Sequence, residues 1–481
     1  MFAGGEKPWR GTRDKNMDKN RKKEYCGLVA IYNHPEAARL AYFGLYALQH
    51  RGQESAGIVT WDGDKLREQR GMGLVADVFN ERHLGHELKG RNAIGHIRYS
   101  TTGASLLRNA QPFMVHFRDL HLAIGHNGNL LNTLELRREL ENEGSLFQTS
   151  MDSEIFMHLV AKNCNGVSIE EAVAMACHRV HGAYALLIQA NEKIIGVRDP
   201  WGFRPLVIGR VGATTVLASE TCALDLLDAE YIREVEPGEM VVLEQGSMTA
   251  RQVLPKKARR SCIFELIYFA RPDSVVFGEN VYARRKEMGA VLAEESPVDA
   301  DFCMPFPDSG VYAAVGFAQK SGLPYENAMI RNHYVGRTFI QPSQGMRDFG
   351  VRVKLNPVKA MIKGKRIVIV EDSIVRGTTI RTRMKKLREL GAKELHLRVS
   401  CPPIRHPCYY GIDFSSKGEL IAANYSVPDI ARFIGLDSLH YLSLEGLMRA
   451  VDAEDGYCRA CFDGCYPELP KEGYGKLCLE T

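Results

Sequence analysis

The sequence lacks several features that assign proteins to particular classes. No stretch of its 481 residues forms the apolar run of about 20 residues that spans a bilayer. Most of the chain also lacks an excess of one charge: eight of the 62 basic and four of the 58 acidic residues lie in the first 25, which leaves 54 of each in the rest. The body therefore has no electrostatic basis for nucleic-acid binding. We expect neither a membrane nor a nucleic acid as a partner, and any basic site must be local.

Residues 1–25 lack the apolar core of a secretory signal, and their four acidic residues fit poorly with a transit peptide. Gly4, Gly5, Pro8 and a basic run that ends at Lys23 predict disorder instead. We interpret this segment as a propeptide whose removal leaves a cysteine at the N-terminus. We expect the mature protein to be cytoplasmic.

The composition, 45% hydrophobic and 25% charged, suits a globular protein of two or more domains, each with its own core. Alternation and frequent turns between residues 182 and 244 predict two stacked antiparallel sheets, with helices 35–48, 133–142 and 153–163 outside them. The predicted strands in this stretch are 182–190, 193–198, 206–209, 215–219 and 239–244. The basic segment 256–260 marks the expected domain boundary. After it, strands alternate with helices, as a parallel sheet requires.

The most informative stretch spans residues 365–379. Its first part, 366–370, is a β-branched run typical of a parallel strand that is covered on both faces. Glu371 and Asp372 follow at the carboxyl end, where open α/β sheets place ligands. Hydroxyls, a glycine and backbone N–H groups then precede a predicted helix 379–390, which favours a bound phosphate. The alternative is an ordinary turn with a solvated acidic pair.

An apolar strand, residues 26–32, begins on Cys26 directly after the predicted propeptide. If the chain starts there, the thiol shares its residue with an α-amino group, whose ordinary pKa is about 7.7 to 8.0. That amine can accept the proton that a catalytic thiol must lose. The alternative is an inert buried cysteine. Three polar, glycine-containing segments each follow an apolar run, which places charged and amide groups on one rim of a sheet; they are 49–57, 98–103 and 126–129.

Residues 371–379 resemble the signature of type I phosphoribosyltransferases, which binds phosphoribosyl pyrophosphate (PRPP). The resemblance implies that Glu371 and Asp372 hold the ribose hydroxyls and Mg2+, although the usual pair is two aspartates. Ser309, after a second short strand, matches a position that contacts Mg2+-PRPP, and the basic segments 331–341 and 347–359 match a flexible lid. The other implied PRPP contacts are Ser373, Val375, Arg376, Gly377, Thr378 and Thr379 in the loop, and Arg337 and Lys354 in the lid.

The first half of the chain resembles the N-terminal nucleophile (Ntn) glutaminase domain of class II amidotransferases. In that resemblance Cys26 attacks the glutamine amide, while Asn127 and the backbone N–H of Gly128 form the oxyanion hole. Acyl transfer requires a thiolate as the nucleophile and fixed N–H donors for the oxyanion. A zwitterionic substrate requires protein groups of opposite charge for its two ends. The implied glutamine-binding residues are Arg98 for the α-carboxylate, Asp152 for the α-amino group, and Arg51, which helps to order the site.

As a whole, the span from Cys26 to about Pro467 is similar to the glutamine PRPP amidotransferase family. Membership implies an α+β Ntn hydrolase domain of four αββα layers over residues 26–258, and an α/β type I phosphoribosyltransferase domain over 259–481. It also implies that glutamine is hydrolysed and that ammonia passes through an internal channel to displace pyrophosphate from PRPP. The product, 5-phosphoribosylamine, opens purine synthesis. The family further implies one Mg2+ per subunit, a homotetramer and feedback inhibition by purine nucleotides.

The twelve cysteines are not spaced like a disulfide framework. Cys458 and Cys461 form a chelating pair, which alone fits zinc, a redox pair or chance. Together with Cys262 and Cys408 they match the four ligands of a 4Fe-4S cluster, one per subunit, in one branch of the family. That cluster would have a structural role in the C-terminal segment. Cys401 and Cys465 are neighbours outside this pattern. Either of them could take the place of Cys408 or Cys461.

Two other functions are compatible with parts of the sequence. A different class II amidotransferase would share only the first half, and residues 371–379 argue against it. A regulatory Fe-S or nucleotide-binding protein would keep the folds without catalysis. The set Cys26, Arg98, Asn127 and Asp152 argues against that second alternative, whereas the glutamate at position 371 leaves it some room.

Overall fold

The computed structural model describes residues 26–99, 105–332, 355–413, 416–470 and 479. No helix within these ranges is both long and apolar enough to cross a membrane. The predicted propeptide and the predicted lid contacts Arg337 and Lys354 lie outside the described residues.

Antiparallel strands dominate the first half of the chain. The strands predicted between residues 182 and 244 are all present, with ends shifted by two residues at most. In chain order the strands are β1 (Gly27–Tyr32), β2 (Ser55–Trp61), β3 (Leu66–Met72), β4 (Asn92–Arg98), β5 (Phe113–Phe117), β6 (Leu120–Leu130), β7 (Gly182–Ala190), β8 (Lys193–Arg198), β9 (Val207–Val211), β10 (Thr214–Ala218), β11 (Glu230–Glu234), β12 (Glu239–Glu244) and β13 (Ser247–Gln252).

These strands form two sheets, one in the order β11-β9-β10-β1-β4-β2-β3 and the other in the order β13-β12-β8-β7-β6-β5. Side chains of β1 alternate between the two faces of the first sheet. Leu28 and Ala30 enter the core between the sheets, whereas Val29 and Ile31 pack against the helix Ala37–Ala47. Because both faces of β1 are covered, its sequence is an unbroken apolar run. The predicted pair of stacked antiparallel sheets is confirmed.

Helices cover the outer faces, so the predicted four-layer αββα arrangement is confirmed as well. Ala37–Ala47 shares a core with the first sheet, and Asp152–Asn163 and Ile169–Arg179 share one with the second. The helices and helical turns of this half are Ala37–Ala47, Val75–Val78, His83–Glu87, Leu107–Asn109, Thr133–Asn142, Asp152–Asn163, Ile169–Arg179 and Thr221–Leu226.

One strand is longer than the sequence predicts. The apolar run indicates an end at Gly125, but β6 continues to Leu130 because β7 pairs with it throughout. Asn127 lies opposite Ala185 in this pairing. The predicted oxyanion residues therefore lie within a strand, and not in a loop that follows one.

The second half is built around a four-stranded parallel sheet in the order β17-β20-β21-β22. The predicted strand 366–370 is confirmed as β20, whose residues from Ile367 to Val370 are fully buried. The strands of this half are β14 (Ser261–Cys262), β15 (Val275–Val276), β16 (Glu279–Asn280), β17 (Phe302–Pro305), β18 (Met329–Arg331), β19 (Leu355–Pro357), β20 (Arg366–Glu371), β21 (Glu394–Val399), β22 (Ser438–Tyr441) and β23 (Tyr457–Cys458).

Helices alternate with the strands of the parallel sheet, as predicted. The helix expected over 379–390 is present as Thr378–Glu389, directly after the loop that follows β20. The helices and helical turns of the second half are Glu265–Phe269, Val281–Glu295, Val311–Ser321, Lys359–Ile362, Thr378–Glu389, Lys417–Glu419, Ile421–Asn424, Val427–Ile434, Leu444–Ala450 and Ala460–Asp463.

Candidate functional site

Strand pairing brings the predicted nucleophile to the predicted carboxylate-binding arginine. Gly27 of β1 lies opposite Ile97 of β4, so Cys26 and Arg98 are the next residues along two neighbouring strands. The Cys26 side chain is buried, and its Sγ lies 3.5 Å from the carbonyl oxygen of Tyr99. The Arg98 guanidinium donates a hydrogen bond of 2.8 Å to Glu54 Oε1.

Burial raises the pKa of the Cys26 thiol to about 11. The carbonyl of Tyr99 and the charge of Arg98 act in the opposite direction, while Glu54 and Asp152 add to the rise. Because the thiolate is the nucleophilic form, a thiol with this pKa needs a nearby proton acceptor before it can react at neutral pH.

Strand β6 presents the two predicted oxyanion residues. Asn127 is fully buried, yet neither its Oδ1 nor its Nδ2 has a hydrogen-bond partner among the described residues. A buried amide in that condition costs about 1–3 kcal/mol, which argues for a ligand that completes it. Gly128 has a φ of 144°, and a Cβ at that position would lie 2.0 Å from the carbonyl oxygen of Ala183. Only glycine fits there.

Asp152, the first residue of the helix Asp152–Asn163, is fixed through both carboxylate oxygens. Its Oδ2 accepts a hydrogen bond of 3.1 Å from the N–H of Leu130, and its Oδ1 lies 3.3 Å from His126 Nδ1. Burial opposes ionisation, but the charge of His126 and these hydrogen bonds outweigh it and lower the pKa of Asp152. The charges of Asp152 and of the Arg98 guanidinium thus both affect the pKa of the Cys26 thiol. Groups of opposite charge near the thiol suit a zwitterionic substrate.

Arg51 lies beside Cys26 and reaches into the second half of the chain. Its Nε donates a hydrogen bond of 3.0 Å to the carbonyl of Cys26, and its two Nη groups bind Glu265 at 2.9 and 2.7 Å. Glu220 is a further partner. Burial lowers the pKa of this guanidinium, but the two carboxylates raise it by more. These contacts suit the predicted role of ordering the site.

The second predicted site lies at the carboxyl ends of β17 and β20. Both strands run parallel and adjacent, so the loops after them meet at one edge of the sheet. Glu371 and Asp372 are buried there, and Ser309 Oγ donates to Glu371 Oε1 at 3.4 Å. Gly310 packs against the carbonyl of Val370, where a Cβ would lie only 2.3 Å from the oxygen.

The predicted phosphate loop connects β20 to the helix Thr378–Glu389. Gly377 has a φ of 72° at its end, immediately before Thr378 and Thr379 start the helix. Ser373 Oγ donates a hydrogen bond of 2.5 Å to Asp372. Two further contacts hold the loop from outside: the N–H of Ile421 donates to the carbonyl of Val375 at 2.9 Å, and Arg376 donates to Glu419 at 2.7 Å.

The four predicted cluster cysteines come from three segments that converge. Cys262 on β14 lies directly opposite Cys458 on β23 in a parallel pair. Burial raises the pKa of Cys408 to about 11, with a contribution from Cys262. Burial also raises the pKa of Cys461, to which Cys458, Cys408 and Cys262 contribute. Each of the four thiols therefore lies close enough to at least one other to affect its ionisation.

Within the described ranges, no group of three or more His, Cys, Asp or Glu side chains is close enough to hold a single metal ion. The four thiols nevertheless come from converging segments and disfavour one another's ionisation. A positively charged group with several metal atoms could bind all four at once and offset that effect, so these residues fit an iron-sulfur cluster. Of the two alternative ligands, Cys401 also acts on the pKa of Cys461, whereas Cys465 is exposed.

Sequence reasoning did not identify several residues that hold the first site together. His126 supports Asp152, Glu54 supports Arg98, and Glu220 and Glu265 support Arg51. Two of the four lay within segments that the sequence singled out, since Glu54 belongs to 49–57 and His126 begins 126–129. Their partners, however, lie 26 or more residues away in the chain.

Comparisons with known proteins extend over both sites. A family model described as a glutamine amidotransferase domain matches residues 96–226. The chain is 50% identical over 458 residues to the chloroplastic amidophosphoribosyltransferase 1 of Arabidopsis thaliana, and the match covers 95% of this chain and 81% of that protein. It is also 50% identical over 453 residues to the amidophosphoribosyltransferase of Archaeoglobus fulgidus, with 92% of this chain and 98% of that protein covered.

Solved structures give the same result. The glutamine PRPP amidotransferase of Bacillus subtilis in complex with ADP and GMP superposes with a TM-score of 0.87 at 47% identity, and the match covers 93% of this chain and 98% of that chain. A structure described as the allosteric regulatory enzyme of purine biosynthesis matches with a TM-score of 0.88, also at 47% identity, over 93% of this chain and 97% of that chain.

Proposed function

The chain belongs to the amidophosphoribosyltransferase family, and we propose how its residues divide the family reaction between two sites. The reaction is the glutamine-dependent amidation of PRPP in purine biosynthesis, which yields 5-phosphoribosylamine, glutamate and pyrophosphate. Because these relatives match along nearly the whole chain, we set aside the two alternatives, a different class II amidotransferase and a regulatory protein without catalysis. We assign glutamine hydrolysis to residues 26–258 and PRPP chemistry to residues 259–481.

In the first site, removal of residues 1–25 gives Cys26 an α-amine that accepts the thiol proton. The thiolate then attacks the amide carbon of glutamine, ammonia leaves with a proton, and water hydrolyses the thioester to glutamate. Asn127 Nδ2 and the N–H of Gly128 stabilise the oxyanion of both steps. Arg98 binds the α-carboxylate and Asp152 the α-amino group. The observation that carries this assignment is the buried Asn127 amide without a partner among the described residues.

In the second site, Glu371 and Asp372 hold the ribose hydroxyls, and the loop 373–379 holds the 5'-phosphate. The carboxylates and Ser309 offer the oxygen ligands that Mg2+ prefers, and Mg2+ when bound neutralises the leaving pyrophosphate. Ammonia from the first site attacks the ribose C1 as the bond to pyrophosphate breaks, and the new amine loses a proton. Arg337 and Lys354 contact PRPP from the lid.

We assign a 4Fe-4S cluster to Cys262, Cys408, Cys458 and Cys461. When bound, it ties β14 at the start of the second half to the C-terminal segment. We further propose a homotetramer that purine nucleotides inhibit, a proposal supported by the ADP and GMP in the Bacillus subtilis structure. A cytoplasmic location suits the eleven described cysteines, all of which are free thiols.

Pyrophosphate release from PRPP, measured with glutamine and then with an ammonium salt, tests this division. Cys26→Ala should abolish the glutamine-dependent rate and leave the ammonia-dependent rate within about twofold, because only the first reaction needs acyl transfer. Cys164→Ala, which changes a partly exposed thiol, provides the matched control. Loss of both rates in Cys26→Ala would contradict separate sites. Mass spectrometry of the purified N-terminus tests the removal of residues 1–25.

A further inference from the structure

The strand that carries the oxyanion residues is supported by the segment 408–411 from the other half of the chain. Asn129, two residues after Asn127 on β6, is buried, and its Nδ2 donates a hydrogen bond of 2.8 Å to the carbonyl of Tyr409. Gly411 lies against Gly128 so closely that a Cβ on Gly411 would be 3.1 Å from both the carbonyl carbon and oxygen of Gly128. Segment 408–411 thus contacts two successive residues of the strand.

The segment itself is firmly held. The buried Arg204 donates a hydrogen bond to the carbonyl of Tyr410, and the Tyr410 ring stacks on Phe203 with 4.2 Å between ring centres. The Tyr410 hydroxyl donates to the carbonyl of Glu468 at 2.6 Å and accepts from the N–H of the same residue at 3.0 Å. Because these contacts come from separate parts of the chain, the segment is a fixed support and not a mobile loop end.

On its other side, Gly128 is confined by β7. Its backbone packs so closely against the carbonyl of Ala183 that no Cβ is possible, and Gly411 lies against the carbonyl group of Gly128 itself. A change in the position of 408–411 must therefore be transmitted to the N–H of Gly128 and to the neighbouring Asn127. Oxyanion donors stabilise a transition state only when they are fixed in place, so displacements well below 1 Å affect the rate.

We propose that segment 408–411 sets the position of the oxyanion strand, and that Asn129 is the positioning residue through its hydrogen bond to Tyr409. The proposal rests on the functions assigned above to Asn127 and Gly128. Cys408, an assigned cluster ligand, begins the segment. The PRPP carboxylates lie on β20 and its loop and share none of these contacts.

The test compares Asn129→Ala with the wild-type holoenzyme. We expect the glutamine-dependent kcat to fall about tenfold, less than the hundredfold or more for a deleted oxyanion donor, with the KM for glutamine and the ammonia-dependent rate within twofold. Iron content should be unchanged. Alkylation of Cys26 by iodoacetamide, followed by mass spectrometry, should keep its rate, because that reaction forms no oxyanion.

Asn132→Ala is the matched control. Its Nδ2 also donates to a backbone carbonyl, but the acceptor is that of Arg179, at 2.8 Å, and the bond is exposed. We expect wild-type rates from it. Gly411→Ala is the second variant. Its methyl group would lie 3.0 Å from Arg204 Nη2 and 3.1 Å from the carbonyl group of Gly128, at a backbone φ of 107° that favours glycine. Because it displaces the segment directly, it should lower the same kcat even if Asn129→Ala does not fold.

Several results would overturn the proposal. These are equal losses of both rates, a raised KM with unchanged kcat, iron loss in parallel with kcat, slower alkylation of Cys26, or wild-type behaviour of both variants. If the wild-type enzyme itself releases no pyrophosphate with glutamine, the assigned function fails first, so the two failures are distinguishable.

Discussion

The two sites are assembled in opposite ways. The proposed glutamine site draws Cys26, Arg51, Arg98, Asn127 and Asp152 from five separate segments, which strand pairing and buried ion pairs bring together. The proposed PRPP site takes most of its groups from one continuous stretch, 371–379, and adds Ser309 from the neighbouring loop.

This difference determines how each site responds to distant changes. Supports of the first site lie far away in the chain, as Glu265 does for Arg51 and Tyr409 does behind Asn129. We therefore expect remote substitutions to impair glutamine use selectively. The second site should be sensitive mainly to changes within its own loop, and the ammonia-dependent rate reports on it alone.

The largest effect should come from Asp372→Asn, which tests whether the PRPP site serves both nitrogen sources. We expect both rates to fall at least about a hundredfold, since charge-assisted hydrogen bonds of a carboxylate contribute about 3 kcal/mol. Pyrophosphate release measures the effect. Asp299→Asn, an exposed carboxylate paired with Arg366 at the opposite end of β20, should be nearly neutral. An ammonia-dependent rate that survives in Asp372→Asn would show that the two nitrogen sources do not share the PRPP site.

Asp152→Asn should affect the glutamine site alone. Without its charge, the α-amino group of glutamine loses its partner, and we expect the KM for glutamine to rise about thirtyfold. His126→Ala should raise it less, because Leu130 still holds one carboxylate oxygen. Steady-state kinetics with glutamine and with ammonium salt measure both variants. A parallel fall in the ammonia-dependent rate would show that the sites are not separate.

The pH dependence of Cys26 alkylation should separate the cleaved and uncleaved chains. Burial raises the thiol pKa to about 11 in the uncleaved chain, so the thiolate fraction and the alkylation rate should increase about tenfold per unit from about pH 7 to about pH 9. Cleavage should increase the rate at neutral pH, because an α-ammonium group then stabilises the thiolate. A rate independent of pH in the uncleaved chain would rule out the raised pKa.

The smallest effect should come from Glu419→Gln. Arg376 and Glu419 form a partly exposed ion pair at the phosphate loop, and such pairs contribute about 0–1 kcal/mol. We expect the KM for PRPP to change by about fivefold at most, in initial-rate measurements with ammonium salt. A change above about tenfold would mean that the loop depends on distant partners as strongly as the glutamine site does.

Local pattern sufficed for much of the fold. The β-branched run 366–370 predicted a buried parallel strand, and the alternation between residues 182 and 244 predicted strands of the stacked sheets. The predicted end of β6 at Gly125 was wrong, because a polar segment such as 126–129 continues a strand when a neighbour such as β7 pairs with it. Pairing of this kind depends on a partner more than 50 residues away, which no local pattern reveals.

By itself, the sequence determined the residue types and their local settings: a cysteine at the start of an apolar strand, an acidic pair at the end of another, and a Cys-x-x-Cys pair. Tertiary structure alone decided what surrounds them. It buried Asn127 without a partner among the described residues, placed His126 against Asp152, and set Tyr409 behind Asn129. The reason is physical, because burial, pKa and hydrogen-bond partners depend on distances in space between segments whose separation along the chain carries no such information.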